Sequence, residues 1–276
     1  MREDARTGRP LHRSSQLVGT LEIGGVACGL ACNDAVFAER LVARYSGFLR
    51  DRSPEFTVDV DVRTDAPVSH GLGDLYARVG GDRGRITVDG IDFSGVFDEE
   101  RRRGHIVQPA EPAALETLLT AIYAARLLRD GGCLLHAAAI IRDDRAYVFY
   151  GPSGSGKTTV AELVGAGVVS DEIAVIRPDG DGWTVSAVPW RGTSLTARLG
   201  GFCRLCQSST TRFEPLAPSR AVRSLLGCAF FARPSDGEVQ AFLDAAGAMA
   251  TRVPVWDMQF RRDRGFWAAL PRGEAA

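Results

Sequence analysis

The chain has 276 residues, enough for one large domain or two small ones with a substantial core. A formal net charge of -1, with 45% hydrophobic and 24% charged residues, is typical of an ordinary globular protein and argues against nucleic acid or an anionic membrane as a partner. No apolar run reaches the roughly 18 residues of a membrane span, and no apolar stretch of signal-peptide length follows Met1, so a cytoplasmic protein is expected.

The first half of the chain is predicted to be rich in strands, with two helices. Residues 1–16 are polar and arginine-rich, which is typical of a mobile tail. Beyond the tail, the patterns predict an apolar segment at 21–31, a helix at 34–49 capped by Asn33 or Asp34, strands at 56–62, 75–79, 85–93 and 105–107, and a helix at 112–129. We place a boundary before the second helix, which separates a strand-rich α+β region, 17–110, from a catalytic domain, 111–276.

Beyond Cys133 the pattern predicts two hairpins on either side of a glycine-rich segment. Strands at 134–141 and 146–150 are joined by only a short turn, and so short a connection requires an antiparallel pair. A second hairpin is predicted at 173–176 and 183–188, after a buried strand at 168–170. The expected fold class is therefore α/β with α+β character, on a mixed, largely antiparallel sheet. It differs from the doubly wound parallel sheet of most phosphate-loop enzymes.

The segment between these hairpins, Gly151-Pro-Ser-Gly-Ser-Gly-Lys-Thr158, matches the phosphate-loop pattern at every fixed position. Glycines allow the backbone to curl so that successive N–H groups point at the phosphates of a nucleotide, next to the positive end of the following helix. The alternative is a glycine-rich turn with a chance lysine. We expect ATP to bind here with Mg²⁺, and we assign the nucleotide contacts to Gly151, Pro152, Ser153, Gly154, Ser155, Gly156, Lys157, Thr158 and Thr159.

Lys157 is the only lysine among 33 basic residues, all the others being arginine. Arginine replaces lysine freely on a solvated surface, but a guanidinium is too large where a compact ammonium has to fit among phosphates. The position of the single lysine therefore indicates a working site, in which Lys157 neutralises charge on the β- and γ-phosphates during catalysis.

Three further residues are candidates for chemistry near the loop. Asp171 and Glu172 follow the buried strand at 168–170, and strand ends beside such a loop are where a triphosphate lies. One acid could hold Mg²⁺ together with the Thr158 hydroxyl, while the other accepts the proton of an attacking hydroxyl; the alternative is a solvated acidic pair. His136 lies in the strand paired with the one that enters the loop, where a lone histidine is more often structural.

Other residues leave alternatives open. Arg191 and Arg198 could reach phosphate, but the chain is so rich in arginine that neither stands out. The stretch 260–267 mixes basic and aromatic residues and favours a short helix that closes the fold. Cys28, Cys133 and Cys228 lie in apolar stretches and are expected to be buried. Whether Cys203 and Cys206 bind a metal is left open, since a zinc site would need a second, distant pair of ligands.

Three segments resemble the catalytic core of the HPr kinase/phosphorylase family, and most of all its smaller relatives from bacterial biosynthetic clusters. They are Leu134-Leu-His-Ala-Ala-Ala-Ile140, Gly151 to Thr158 and Val169-Ser-Asp-Glu172; Arg252-Val-Pro-Val-Trp256 and Arg262 to Trp267 are similar to the tail of those relatives. The resemblance covers about half the chain. It implies the fold of the HPr kinase C-terminal domain, which is related to phosphoenolpyruvate carboxykinase.

The resemblance also implies roles for single residues. His136 falls on the family histidine near the reacting phosphate, Asp171 on the general base of the Asp-Asp pair, and Glu172 on the second acid, where a metal role is implied. No counterpart of the family's arginine- and glycine-rich signature follows the acids, which leaves HPr as acceptor and a reverse phosphorylase activity open. The second lysine that carboxykinases use at their metal is missing here.

The sequence thus predicts an ATP-dependent kinase that transfers the γ-phosphate to a Ser or Thr hydroxyl of a protein or peptide. One alternative is a small-molecule kinase, and another is a nucleotide-binding scaffold or switch that transfers no phosphate. The choice of ATP over GTP or pyrophosphate, the acceptor and a homo-oligomeric state are left open.

Overall fold

The computed structural model describes residues 16–63, 77–82, 84–232 and 235–271. Its first half forms an eight-stranded sheet of order β3-β1-β2-β4-β8-β7-β6-β5, in which β2–β4 and β4–β8 are the parallel pairs. The elements are β1 (Gln16–Ile23), β2 (Val26–Cys32), α1 (Ala35–Tyr45), β3 (Leu49–Arg50), β4 (Phe56–Val62), β5 (Arg78–Gly80), β6 (Arg85–Asp89), β7 (Ser94–Asp98), β8 (Arg103–Gln108) and α2 (Pro112–Arg129).

The second half carries the glycine-rich segment between its second strand and its first helix. The elements are β9 (Cys133–Arg142), β10 (Arg145–Tyr150), α3 (Lys157–Val164), β11 (Val168–Ser170), β12 (Ile173–Asp179), β13 (Gly182–Ala187), β14 (Ala197–Gln207), β15 (Arg212–Pro215), α4 (Pro218–Leu226), α5 (Asp236–Arg252), β16 (Val255–Phe260) and α6 (Gly265–Ala269). None of the helices in the described ranges is long and apolar enough to cross a membrane.

The second sheet mixes both strand orientations. The predicted hairpins β9–β10 and β12–β13 are confirmed as antiparallel pairs, while β14 runs parallel to both β10 and β16. The first residues of β14 pair with β13 as well as with β10, so β10, β9, β12, β13 and β14 close into a ring. The protein is therefore a mixed α/β fold dominated by strands, and the prediction that it would not be doubly wound is confirmed.

Helix α2 lies in a core to which both halves contribute. The core contains Leu21 and Phe97 from the first sheet, together with Leu134 and Val175 from the second. The phenol of Tyr123 on α2 donates a hydrogen bond to the carbonyl of Leu21 at 3.1 Å, which satisfies a polar group that burial would otherwise leave without a partner. The helix that precedes the glycine-rich segment is thus held by packing on both sheets.

Several predicted elements change at their boundaries. The helix predicted at 34–49 ends at Tyr45 and continues as a short 3-10 turn, and its cap is Asp34, whose side chain accepts from the N–H of Phe37 at 2.7 Å. The strand predicted at 85–93 is confirmed only as far as Asp89, because the N–H of Gly90 donates to the carbonyl of Phe93 and closes a turn between β6 and β7. The tail at 1–15 and residues 75–76 lie outside the described residues, while the end of the strand predicted at 75–79 is found as β5, Arg78–Gly80.

Candidate functional site

The glycine-rich segment forms a tight connection between β10 and α3. The N–H of Ser155 donates to the carbonyl of Pro152 at 3.1 Å, which turns the chain back on itself. Gly154 and Gly156 have φ values of 77° and 111°, in the left-handed region that favours glycine over every residue with a side chain. The loop conformation therefore depends on glycine at these two positions.

The start of α3 presents backbone donors without internal acceptors. Gly156 caps the helix without a side-chain hydrogen bond. Among the described residues, the N–H groups of Gly154, Gly156, Lys157 and Thr158 donate to no backbone carbonyl. Such a group of amides at the positive end of a helix is suited to binding an anion.

Lys157 is buried inside the loop, with 6% of its surface exposed. Its ammonium donates to the carbonyl oxygens of Gly151 at 2.9 Å and Pro152 at 3.2 Å, so the loop holds its own lysine. Burial lowers the pKa of Lys157, and the neighbouring Cys228 and Glu172 counteract part of that effect. The one lysine of the chain is therefore confined at the loop and does not extend into solvent.

The hydroxyl of Ser155 is a buried polar group without a partner. The residue is 7% exposed, and its Oγ makes no hydrogen bond within the described residues. A buried hydroxyl that lacks a partner costs free energy, and such a group in a native protein often faces a ligand. Its position among the unpaired amides of the loop fits the oxygen atoms of a polyphosphate.

His136 and Glu172 lie within electrostatic range of Lys157. His136 pairs with Ile173 across β9 and β12, and the next residue, Ala137, donates its N–H to the carbonyl of Glu172 at 2.9 Å. Burial lowers the pKa of His136, Lys157 lowers it further, and Glu172 partly opposes both. The imidazole is thus expected to be neutral near pH 7, within electrostatic range of both charges.

Asp171 and Thr158 are exposed side chains at the same end of the sheet and helix. Asp171 follows β11, which pairs with β9, and Thr158 stands in the first turn of α3. Asp171 makes no ion pair in the described part of the chain. Both groups are accessible to a substrate, so the geometry leaves the predicted general base free to act.

The predicted Mg²⁺ ligands Thr158, Asp171 and Glu172 do not form a preassembled metal centre. The ranges that the structure describes contain no group of three or more His, Cys, Asp or Glu side chains placed to hold a metal ion. Mg²⁺ commonly binds through one or two protein groups together with substrate phosphates and waters.

The predicted burial of Cys28, Cys133 and Cys228 is confirmed. Cys28 lies in a different hydrophobic core from Cys203.

Arg191 is tied to Glu172 by a direct ion pair and by a hydrogen-bonded link through Ser170. Its Nε lies 3.1 Å from Oε2 of Glu172. The buried hydroxyl of Ser170 donates to the carbonyl of Arg191 at 2.6 Å and accepts from the N–H groups of Glu172 and Ile173. Arg191 is therefore distinguished from the other arginines of the chain. Its guanidinium would compete with a metal cation for the carboxylate of Glu172.

Arg198, the other arginine considered, lies away from the site. It pairs with Arg145 in the strand register, whereas the loop begins after Tyr150 at the opposite end of β10. Its guanidinium forms an ion pair with Asp181 in the β12–β13 turn. The expectation that Arg198 could reach phosphate is therefore wrong, because β10 separates it from the loop.

Gly192 sets the position of Arg191, and we predict that Gly192→Ala destabilises the protein. A Cβ at this position would lie 2.4 Å from the carbonyl oxygen of Val169 and 2.4 Å from the Cβ of Ala187. Both belong to sheet strands and cannot move aside, so overpacking of about 1–3 kcal/mol is expected. Thermal unfolding measures the loss, with Gly247→Ala in α5 as the comparison for a glycine in open space without a left-handed backbone. An unchanged melting temperature in Gly192→Ala would contradict this placement of Arg191.

A cavity of about 590 Å³ lies against the glycine-rich loop. It is lined by Gly151–Ser155, by the end of β14 from Arg204 to Gln207, and by Arg223, Ser224, Gly227 and Cys228 in and after α4. The side-chain amide of Gln207 donates to the carbonyl of Gly154 at 2.6 Å and so joins β14 to the loop. A volume of this size is typical of a ligand pocket.

The site combines a buried ammonium, unpaired amides, an unpaired hydroxyl, a neutral imidazole and two carboxylates. No model of a known protein family matches this sequence, and no curated protein is found to be similar to it. The ammonium, amides, hydroxyl, imidazole and carboxylates of this site can together bind a polyphosphate, neutralise its charge and accept a proton from an attacking hydroxyl.

Sequence reasoning missed the residues that line the cavity opposite the loop. Arg204, Arg223 and Cys228 are separated from the loop by dozens of residues and belong to no recognisable motif. The parallel pairing of β10 with β14 brings Arg204 beside Tyr150, and a backbone hydrogen bond from His136 to Cys228 brings the end of α4 to the loop. The sequence gives the identity of these residues, but no sequence pattern predicts that they lie beside the loop.

Proposed function

We propose that this chain is an ATP-dependent kinase that transfers the γ-phosphate to a Ser or Thr hydroxyl of a protein or peptide. The catalytic half would then be a phosphate-loop core of the HPr kinase C-terminal type, which the antiparallel hairpin before the loop supports. The proposed location is the cytoplasm, where ATP is plentiful. A small-molecule acceptor and a non-catalytic switch are the outcomes against which this proposal is tested.

The proposal rests mainly on the burial of Lys157, the only lysine in the chain, inside the glycine-rich loop. Its Nζ lies between two loop carbonyls at 2.9 and 3.2 Å, next to amides without internal partners. A surface lysine would keep its ammonium in water, because removing it from water costs free energy. A bound polyphosphate supplies the negative charge that this buried ammonium and these amides can neutralise.

The residues present fit ATP and Mg²⁺. The loop amides, Ser155 and Lys157 would hold the phosphates, and Thr158 with Glu172 or Asp171 would hold the metal. Bound there, Mg²⁺ would neutralise charge on the phosphate oxygens. Glu172 is paired with Arg191, so a metal role for Glu172 requires that pair to open.

Phosphoryl transfer makes modest demands on the other side chains. The transition state is loose, so most of the catalysis comes from positioning and from charge neutralisation. Asp171 is exposed and can accept the proton of the attacking hydroxyl. His136, neutral and beside Lys157, can donate or accept a hydrogen bond at the transferring group.

The decisive experiment follows the γ-phosphate of ATP. The protein is incubated with γ-labelled ATP, Mg²⁺, and either lysate proteins or a protein-free metabolite pool. Label on a Ser or Thr of a protein or peptide supports the proposal. Label on metabolites alone would assign a small-molecule kinase, and ATP binding without any label transfer would assign the switch.

A further inference from the structure

We propose that the cavity beside the loop receives an acidic segment of the acceptor, and that Arg223 is a specificity-determining residue for it. This inference rests on the proposed kinase function and names its substrate class: a peptide segment with Glu or Asp beside the hydroxyl that receives phosphate. The cavity of about 590 Å³ has room for several side chains.

The charges on the cavity wall are all of one sign. In the described part of the chain the lining includes Arg204 and Arg223 but no acidic side chain. Arg204 is held by Asp257 through contacts of 3.1 and 2.5 Å, and Arg220 lies 3.9 Å from the same carboxylate. One carboxylate thus faces two arginines.

Arg223 carries the charge that remains available to a ligand. It is exposed on α4 and forms no ion pair within the described ranges. An unpaired guanidinium at the rim of a pocket that contains no acid attracts a carboxylate, and its planar donors suit bidentate binding. The wall is therefore complementary to an anionic partner.

The cavity opens next to the groups that would carry out transfer. Cys228 forms part of its wall, and the carbonyl of Cys228 accepts the N–H of His136 at 2.7 Å. The thiol of Cys228 lies 3.7 Å from the carbonyl of Gly151, which also holds the ammonium of Lys157. A segment bound in the cavity would therefore lie against Cys228 and Gly151, whose carbonyls accept hydrogen bonds from His136 and Lys157.

The cavity shares one wall, Gly151–Ser155, with the assigned nucleotide contacts, and its opposite wall is formed by the end of β14 and by α4 with the two residues after it. It is lined by Gly151–Ser155 but not by Lys157 or Thr158, to which we assign charge neutralisation and the metal. The phosphates at the start of α3 and an acceptor in the cavity can therefore be bound together, as direct transfer requires.

The test uses synthetic Ser and Thr peptides whose flanking positions are all Glu, all Lys or all Ala. With γ-labelled ATP and Mg²⁺, the Glu-flanked peptides should be phosphorylated best, and the preference should weaken as salt is raised. Arg223→Glu should lower their kcat/KM about tenfold and favour the Lys-flanked set, since charge reversal replaces attraction by repulsion. Arg101→Glu, at an 80% exposed side chain in the turn between β7 and β8, is the control and should keep the preference.

Binding of a fluorescent Glu-flanked peptide, with ATP and Mg²⁺ present, provides a readout that does not need turnover. Tighter binding of the Glu peptide than of the Lys peptide, lost in Arg223→Glu, supports the proposal even if no peptide is labelled. Equal labelling of all three sets would overturn it while leaving a kinase in place, and equal binding of all three sets would overturn it as well. A raised KM for ATP in Arg223→Glu, with peptide preference unchanged, would assign the cavity to the nucleotide instead.

Discussion

Lys157→Ala should lower kcat/KM for phosphoryl transfer by about 10³-fold or more. The ammonium is buried, and it is the only lysine in the chain, so no neighbouring lysine can replace it. Lys157→Arg should fail as well, because a planar guanidinium does not fit where two loop carbonyls hold a compact ammonium at 2.9 and 3.2 Å. The measurement is acceptor-dependent ADP release together with label transfer.

Two controls separate loss of chemistry from loss of the fold. Thermal unfolding of Lys157→Ala shows whether the loop carbonyls tolerate the loss of their donor, and Arg101→Ala tests removal of a cation far from the loop. Near-normal transfer by a folded Lys157→Ala protein would refute the assignment of the catalytic centre.

The same lysine offers a test that needs no acceptor. Because Lys157 is the only side-chain amine, an amine-acylating reagent labels one internal site, which peptide mapping distinguishes from the N-terminus. Burial lowers its pKa and so increases the reactive neutral fraction at a given pH. ATP with Mg²⁺ should protect Lys157 and leave the N-terminus reactive, whereas equal labelling with and without ATP would contradict nucleotide binding at the loop.

Asp171→Asn should lower kcat by about 10²- to 10⁴-fold while ATP binding persists, as expected when a general base is removed. The amide has nearly the shape of the carboxylate but cannot accept the proton of the attacking hydroxyl. Asp171 is exposed and forms no ion pair in the described residues, so the substitution should leave the melting temperature unchanged. Single-turnover transfer and nucleotide binding, measured on the same sample, separate the two effects.

The matched control for this variant is Asp179→Asn. Asp179 is also exposed and ends β12, far along the hairpin from the loop, so its amide variant should retain full activity. If Asp171→Asn and Asp179→Asn were equally active, Asp171 could not be the base, and the non-catalytic switch would become the better account.

Local pattern was sufficient for the elements around the loop. The hairpin β9–β10 follows from the turn predicted at 142–145, which is too short for a parallel crossover, and α2 follows from its apolar period. The strand predicted at 85–93 was too long, because the chain turns at Gly90 and the strand ends at Asp89. A single glycine in a strand pattern does not reveal whether the chain bends or continues.

What the sequence determined by itself is the chemistry of the loop: Lys157 after its glycines, the acids after β11 and the histidine on the neighbouring strand. These residues are close in the chain or one strand apart, so spacing and hydrogen-bonding geometry place them together. The tertiary structure alone decided that Arg191 contacts Glu172, that Arg198 does not reach the loop, and that Arg223 and Cys228 line a cavity beside it. Those contacts depend on the pairing of β10 with β14 and on the packing of α4, which join residues too distant in sequence for periodicity to specify.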